Sequence, residues 1–301
     1  MAKPFVNPFV SGQFLELRVD ALVSDGRGLG RHDGVVVLVE DALPGQLVRA
    51  RVDAVRKSLA EAALVEVLER SPDEQEPPCP HAGRCGGCSW QSLAYGRQLA
   101  WKERIVHDAL ERVGKVACPP MLPILPSPSE WGYRNKMEFA FGVSGDGGKA
   151  LGLRERGSRN IVEVTGCLLQ TPLTMRVLEA VRMLSNGAFH DLDGRFLVVR
   201  EPNAGGCFVE LIVGAGGSLE AGERFAEALR AETPEVTGFA LSERLAPSDV
   251  AYGERALYAD GRLEERIGDV RLQMGHNAFF QVNTPAAELL YAEAARFAAL
   301  E

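Results

Sequence analysis

Three of the six cysteines of this chain fall within ten residues, in Cys79-Pro-His-Ala-Gly-Arg-Cys85-Gly-Gly-Cys88. A fourth, Cys167, follows 79 residues after Cys88, in Val164-Thr-Gly-Cys167. Thiolates at such spacing hold zinc or an iron–sulfur cluster. Zinc sites usually offer two close pairs of ligands; one close group with a single remote partner favours iron–sulfur. Pro77, Pro78 and Pro80 stiffen the approach, and Gly86 and Gly87 let the backbone fold tightly between two ligands. Cys118 stands alone in a proline-heavy stretch and reads as an inert small hydrophobe. A second polar group precedes the last helix: His276, Asn277, Gln281 and Asn283 stand beside Phe279 and Phe280. They could line a site; core phenylalanines next to helix-start polar groups would look the same.

The chain has 301 residues, 33 basic and 41 acidic, a net charge of −8 that argues against a general nucleic-acid coat. The charge is uneven. Residues 84–115 carry six basic groups against three acidic, and so do residues 131–160. Local basic faces of this kind are what phosphate binding needs. No run of eighteen apolar residues and no signal-peptide core are present, so no membrane partner is expected. Six cysteines are too few for a disulfide scaffold in a chain of this length, and a cytoplasmic location is expected.

The elements that must position these groups begin with β structure. Alternating or apolar runs at 14–22, 35–39, 47–55 and 62–68, separated by Asp25-Gly26, Asp33-Gly34 and Pro44-Gly45, predict an OB-like barrel over 1–70. Such barrels commonly bind RNA. Gly26-Arg-Gly28-Leu-Gly30-Arg31 has the wrong spacing for a dinucleotide loop and is followed by a strand. It reads as a hairpin carrying Arg27 and Arg31 toward RNA. Residues 71–78 are an acidic, proline-rich linker.

A helix then follows Cys88 with Leu99, Val106, Leu110 and Val113 on one face and Gly114 as its stop. Tyr133-Arg-Asn-Lys-Met-Glu-Phe139 opens a strand region with Arg134 and Lys136 on one face. Helices at 172–185 and 219–229, and strands up to 270–273, make 79–273 an α+β domain with a largely antiparallel sheet. Val213-Gly-Ala-Gly-Gly-Ser218 lacks the Lys-Ser/Thr of a phosphate loop; Ser218 as a helix cap accounts for it. Thr284 and Pro285 are the expected cap and first residue of the last helix, within a segment 274–301 that opens a further domain.

On Cys79-x5-Cys85-Gly-Gly-Cys88, Tyr133–Phe139, Cys167 and Phe279-Phe-Gln-Val-Asn283, the whole chain resembles the S-adenosylmethionine-dependent RNA 5-methyluridine methyltransferases. The closest likeness is to the branch with an N-terminal TRAM domain and a [4Fe-4S] cluster that acts on 23S ribosomal RNA. The resemblance implies that Cys79, Cys85, Cys88 and Cys167 bind the cluster. It puts Phe279 near the flipped uracil and Gln281 near S-adenosylmethionine. It also implies a doubly wound α/β domain holding the cofactor, a nucleophilic cysteine and a general-base carboxylate beyond residue 301. The chain is therefore expected to be truncated before that domain and inactive alone. It would retain RNA binding, as a monomer. Methylation of transfer RNA, or a non-catalytic RNA-binding module with a structural metal, are the alternatives. A radical enzyme would want Cys-x3-Cys-x2-Cys, which Cys79-x5-Cys85 departs from.

Overall fold

A computed structural model describes residues 7–214 and 217–299. Ala215 and Gly216, in the glycine-rich stretch before Ser218, lie outside the described residues. The chain forms two compact units. One comprises residues 1–83 and 88–126, the other 84–87 and 127–301.

In the first unit, β1 (Phe14–Leu22), β2 (Gly28–His32), β3 (Val35–Glu40), β4 (Leu47–Val55) and β5 (Leu59–Glu69) close into a barrel in the order β1-β2-β3-β5-β4. Period-two alternation sends Leu15, Leu17, Val19, Val35, Val37, Val39, Val48, Ala50 and Val52 inward, and their burial supplies the driving force. The glycines of β2 are there for steric reasons. A Cβ on Gly30 would lie 2.3 Å from the Arg18 carbonyl oxygen, and one on Gly28 would lie 2.7 Å from that of Ala42. The turn into β2 is fastened by the Trp90 indole N–H, which donates to the Gly26 carbonyl at 3.0 Å.

The helix after Cys88, α1 (Tyr95–Asp108), continues through a π-helical turn, Ala109–Val113, to Gly114. Its inner face differs from the expected one. Trp101 and Ile105, one turn apart, pack with Trp90 on Leu22, Leu43 and Leu93. Val106, Leu110 and Val113 are exposed. The bulk of an indole outweighs a stripe of smaller aliphatic residues.

The second unit is built on a seven-stranded sheet in the order β12-β11-β10-β9-β6-β7-β8. Its strands are β6 (Lys136–Val143), β7 (Lys149–Arg154), β8 (Ile161–Val162), β9 (Gly194–Arg200), β10 (Cys207–Val213), β11 (Val236–Glu243) and β12 (Arg255–Asp260). All neighbours are antiparallel except β10 and β11, which are parallel and joined through α3 (Leu219–Glu232). Ser218 caps α3, accepting from Ala221 N–H at 3.1 Å, so a helix cap explains that serine.

Together with α2 (Pro172–Asn186), α3 covers one face, where Val177, Val181, Phe225 and Leu229 meet Val209, Leu211, Phe239 and Leu241. The other face carries Ala140, Phe196, Val198 and Ile212. Farther along it, Phe208 and Ala240 pack under Leu263 and Met274 of the hairpin β13 (Leu263–Ile267) and β14 (Val270–Met274). The last helix, α4 (Thr284–Ala298), is capped by Asn283, whose Oδ1 accepts from Ala286 N–H at 3.0 Å. Thr284 is thus the first helical residue and not the cap, and its hydroxyl is committed elsewhere.

Candidate active-site loop and nucleic-acid interface

The segment Gly275–Asn283 crosses from β14 to α4 without regular structure, and hydrogen bonds to its carbonyls hold it down. Asn135, just before β6, provides two of them. Its backbone N–H donates to the Val282 carbonyl at 2.9 Å, and its Nδ2 to the Gln281 carbonyl at 3.0 Å. The same Nδ2 lies 2.7 Å from Thr284 Oγ1 and 3.4 Å from Glu265 Oε2. Glu265 is 1% exposed, and its carboxylate is a hub. Besides Asn135 it accepts from Asn203 N–H at 2.9 Å, Arg266 N–H at 3.0 Å and the Thr284 hydroxyl at 3.2 Å. A carboxylate buried this deeply needs that many donors to offset its lost hydration.

Arg200 anchors the loop at a third carbonyl, donating to that of Ala278 at 2.6 Å. Burial pushes its guanidinium pKa down, while the charges of Glu210 and Glu138 pull it back up. Glu210, 2% exposed in the middle of β10, has His276 Nε2 at 3.7 Å. Asn277 Nδ2 donates to the Gly253 carbonyl at 2.9 Å. A cavity of about 10 Å³, the size of one water, is bordered by Asn135, Arg200, Glu265 and Phe280. On this anchored loop Phe279 is 84% exposed. The backbone of Gln281 is tied down by Asn135, and its half-buried side-chain amide has no partner among the described residues.

The resemblance singled out Phe279 and Gln281, and neither it nor the residue pattern pointed to Glu265, Arg200 or Glu210. A signal existed for two of them. Glu265 occupies an inward phase of Leu263-Glu-Glu-Arg-Ile267, and Glu210 is the one charge in Cys207-Phe-Val-Glu-Leu-Ile-Val213.

The expected basic groups have different fates. Arg27 is folded onto its own turn, with Nη2 2.6 Å and Nε 2.9 Å from Asp25 Oδ2. That hydrogen bond raises the Arg27 pKa and holds the Asp25 carboxyl below the usual range, so the pair is neutral toward a phosphate. Arg31 is exposed on β2 and has no partner among the described residues. Arg134 precedes the strand, which begins at Lys136, and its Nε donates to the Lys136 carbonyl at 3.0 Å. The Lys136 ammonium pairs with Glu138, so the pair Arg134 and Lys136 is not the open basic face that alternation suggested.

The cysteine expectation is corrected. Residues 84–87 are laid along the turn after β7, with Gly86 N–H donating to Arg154 O at 3.0 Å and Arg156 N–H to Arg84 O at 2.8 Å. Cys85 Sγ accepts from Gly87 N–H at 3.4 Å. Cys79 and Cys88 belong to the first unit and Cys85 and Cys167 to the second. Among the described residues no group of three or more His, Cys, Asp or Glu side chains is placed to hold a metal ion, so the structure lends the expected [4Fe-4S] cluster no support. Cys207 is fully buried, and burial pushes its thiol far above the ordinary range, which excludes a resting thiolate. Among the described residues no helix is long and apolar enough to cross a membrane.

Comparison with known proteins places these features. Residues 8–65, the barrel, match the TRAM domain model. The chain is 45% identical to an uncharacterized RNA methyltransferase of Nitratidesulfovibrio vulgaris, over 97% of this chain and 65% of that protein. It is 31% identical to another from Caldanaerobacter subterraneus subsp. tengcongensis, over 98% of this chain and 67% of that one. The chain thus spans about two thirds of the length of the relatives it matches. Among solved structures, the Pyrococcus abyssi tRNA (uracil-54, C5)-methyltransferase in complex with S-adenosyl-L-homocysteine aligns with a TM-score of 0.68 and 23% identity. That alignment takes in 93% of this chain and 64% of the enzyme.

The match corrects the expectation at the level of fold: 93% of this chain shares its fold with 64% of an enzyme solved in complex with S-adenosyl-L-homocysteine, so the reading of the chain as cut off and inactive alone is not carried further. The expectation that the chain holds no part of a doubly wound arrangement is corrected at one point. The crossover β10–α3–β11 is a parallel β–α–β unit of the kind such folds repeat. With a TRAM barrel at its start and RNA methyltransferases aligned along nearly its whole length, the chain belongs to the RNA methyltransferase family.

Proposed function

We propose that the protein methylates C5 of a uridine in transfer RNA, with S-adenosylmethionine as the methyl donor. The observation that carries this reading is the Phe279–Asn283 loop, an exposed aromatic ring two residues from an uncommitted amide, on backbone anchored by a buried polar network. The residues present suit the cofactor and the base. Gln281 offers an amide donor and acceptor toward S-adenosylmethionine, and Phe279 offers an apolar face to a pyrimidine. When bound, S-adenosylmethionine would supply the methyl group and leave as S-adenosyl-L-homocysteine, with the displaced C5 proton released to water. A uracil in a folded stem or loop must leave the stack to be modified, and stacking on an exposed ring stabilises it there by about 1–3 kcal/mol.

Affinity for RNA comes from the barrel, with Arg31 among its open cations, and from backbone phosphates more than from base edges. Transfer RNA is the substrate favoured over ribosomal RNA because the solved enzyme of the same fold is a tRNA methyltransferase. The protein acts as a monomer in the cytoplasm, where six cysteines without a disulfide suit reducing conditions. The test is incubation with methyl-labelled S-adenosylmethionine and unmodified transfer RNA, with 23S ribosomal RNA in parallel. Label at C5 of a transfer-RNA uridine is expected. Label on 23S RNA alone would overturn the substrate, and label on neither would overturn the activity.

A further inference from the structure

The motif Tyr133–Phe139 contains one residue whose polar groups reach well beyond its own strand. We propose that Asn135 is a positioning residue for the methyl transfer: together with Glu265 it fixes the loop from which Phe279 and Gln281 act. The inference rests on the proposed function for its catalytic part and on geometry alone for its structural part.

Asn135 ties three segments together. Its carbonyl accepts from Glu201 N–H at 2.8 Å at the end of β9. Its own N–H and side-chain amide take the carbonyls of Val282 and Gln281, and its Nδ2 also reaches Thr284 Oγ1. The direction of every bond is set. The Glu265 carboxylate only accepts. The Thr284 hydroxyl therefore spends its single proton on Glu265 and turns a lone pair to Asn135. The remaining partners of Nδ2, the Gln281 carbonyl and Glu265 Oε2, are also acceptors. An amide NH₂ fits this spot, and a carboxylate of the same shape would face three acceptors. Asn135 thus differs from a cap or a spacer, because its donor character is what the loop requires.

The consequence falls on Phe279. An aromatic ring 84% exposed on irregular backbone would ordinarily move with its loop. Here the carbonyls of residues 278, 281 and 282 are each held by Arg200 or Asn135. The exposed groups are presented from a fixed base, and misplacing reacting groups by about 1 Å lowers a rate by as much as 100-fold.

The experiment uses the full chain carrying Asn135→Asp, Asn135→Ala or Thr284→Ser, with hydrogen exchange read over 276–284 and methyl-transfer kinetics on unmodified transfer RNA. For both Asn135 variants, loop exchange is expected to quicken about tenfold or more with α2 and the barrel unchanged. Their kcat should fall by about tenfold or more while KM for RNA stays within about twofold, since RNA affinity resides in the barrel. Thr284→Ser keeps the hydroxyl and should leave loop exchange unchanged. Should Asn135→Ala fail to fold, the isosteric Asn135→Asp carries the test. Unchanged loop exchange in Asn135→Asp would overturn the clamp, and a loosened loop with unchanged kcat would overturn the positioning role. If the wild-type protein methylates no RNA, the proposed function falls while loop exchange still decides the clamp.

Discussion

Replacing Gly30 by alanine tests whether the glycine-rich stretch is a ligand loop or a packing device. The backbone at Gly30 is not in the left-handed region, so the substitution is conformationally permitted. On that ground alone it would stabilise the protein by about 0.4–1 kcal/mol through the unfolded chain. Packing opposes it. The new Cβ would meet Arg18 O at 2.3 Å and Leu17 Cδ1 at 2.9 Å. The first contact is backbone and cannot relax by a rotamer change; β1 and β2 must part where Val19 opposes Gly30. Overpacking of this kind costs about 1–3 kcal/mol, and a backbone clash belongs at the upper end. The net expectation is a loss of about 2 kcal/mol, which quickens hydrogen exchange in β1–β3 roughly 30-fold. Gly34→Ala is the control. Gly34 has φ +80° with open space around it, so its cost of about 1–2 kcal/mol is purely conformational. Undiminished protection in Gly30→Ala would refute the steric account of the motif.

Three further outcomes are expected. Arg31→Ala should weaken RNA binding and reduce the salt slope by about one, while Arg27→Ala, whose charge Asp25 already neutralises, should leave both nearly unchanged in a filter-binding titration at several salt concentrations. Cys207 should resist alkylation at pH 8 in the native protein and react once denatured, as mass spectrometry of labelled peptides would show. The Arg230 guanidinium holds the Asp260 carboxyl below its usual range, so this pair's stabilisation is complete above that range and is lost as the pH falls through it. Asp260→Asn should therefore flatten the acid limb of a stability–pH profile, and an unchanged limb would contradict the pairing.

The barrel was legible because each strand alternates against a closed core, as in Phe14–Leu22 and Leu47–Val55. Its second strand was obscured by Gly28 and Gly30, since glycine has low strand preference and only the close approach of Arg18 and Ala42 explains it. The face of α1 was misjudged because Trp101 and Ile105 pack while the longer aliphatic stripe stays exposed. Spacing along the chain revealed that the cysteines cluster in sequence, but not how the four thiols lie in space. Phe279 and Gln281 were singled out by the resemblance of their motif, since the local residues alone fit a core and a helix start equally well. The network beneath them could not be singled out, because Asn135 and Thr284 are 149 residues apart and Asn135 and Glu265 are 130 apart. No local pattern encodes such a meeting. A lone charge in an apolar strand, as at Glu210, is the trace it leaves.

The central claim is tested most directly by mapping the methylated nucleotide. The protein, methyl-labelled S-adenosylmethionine and unmodified transfer RNA are incubated, and the RNA is digested to nucleosides for mass spectrometry. The account predicts 5-methyluridine in the wild-type reaction and much less with Gln281→Ala, with RNA binding retained. Absence of 5-methyluridine from every RNA offered, or equal yields from wild type and Gln281→Ala, would contradict it.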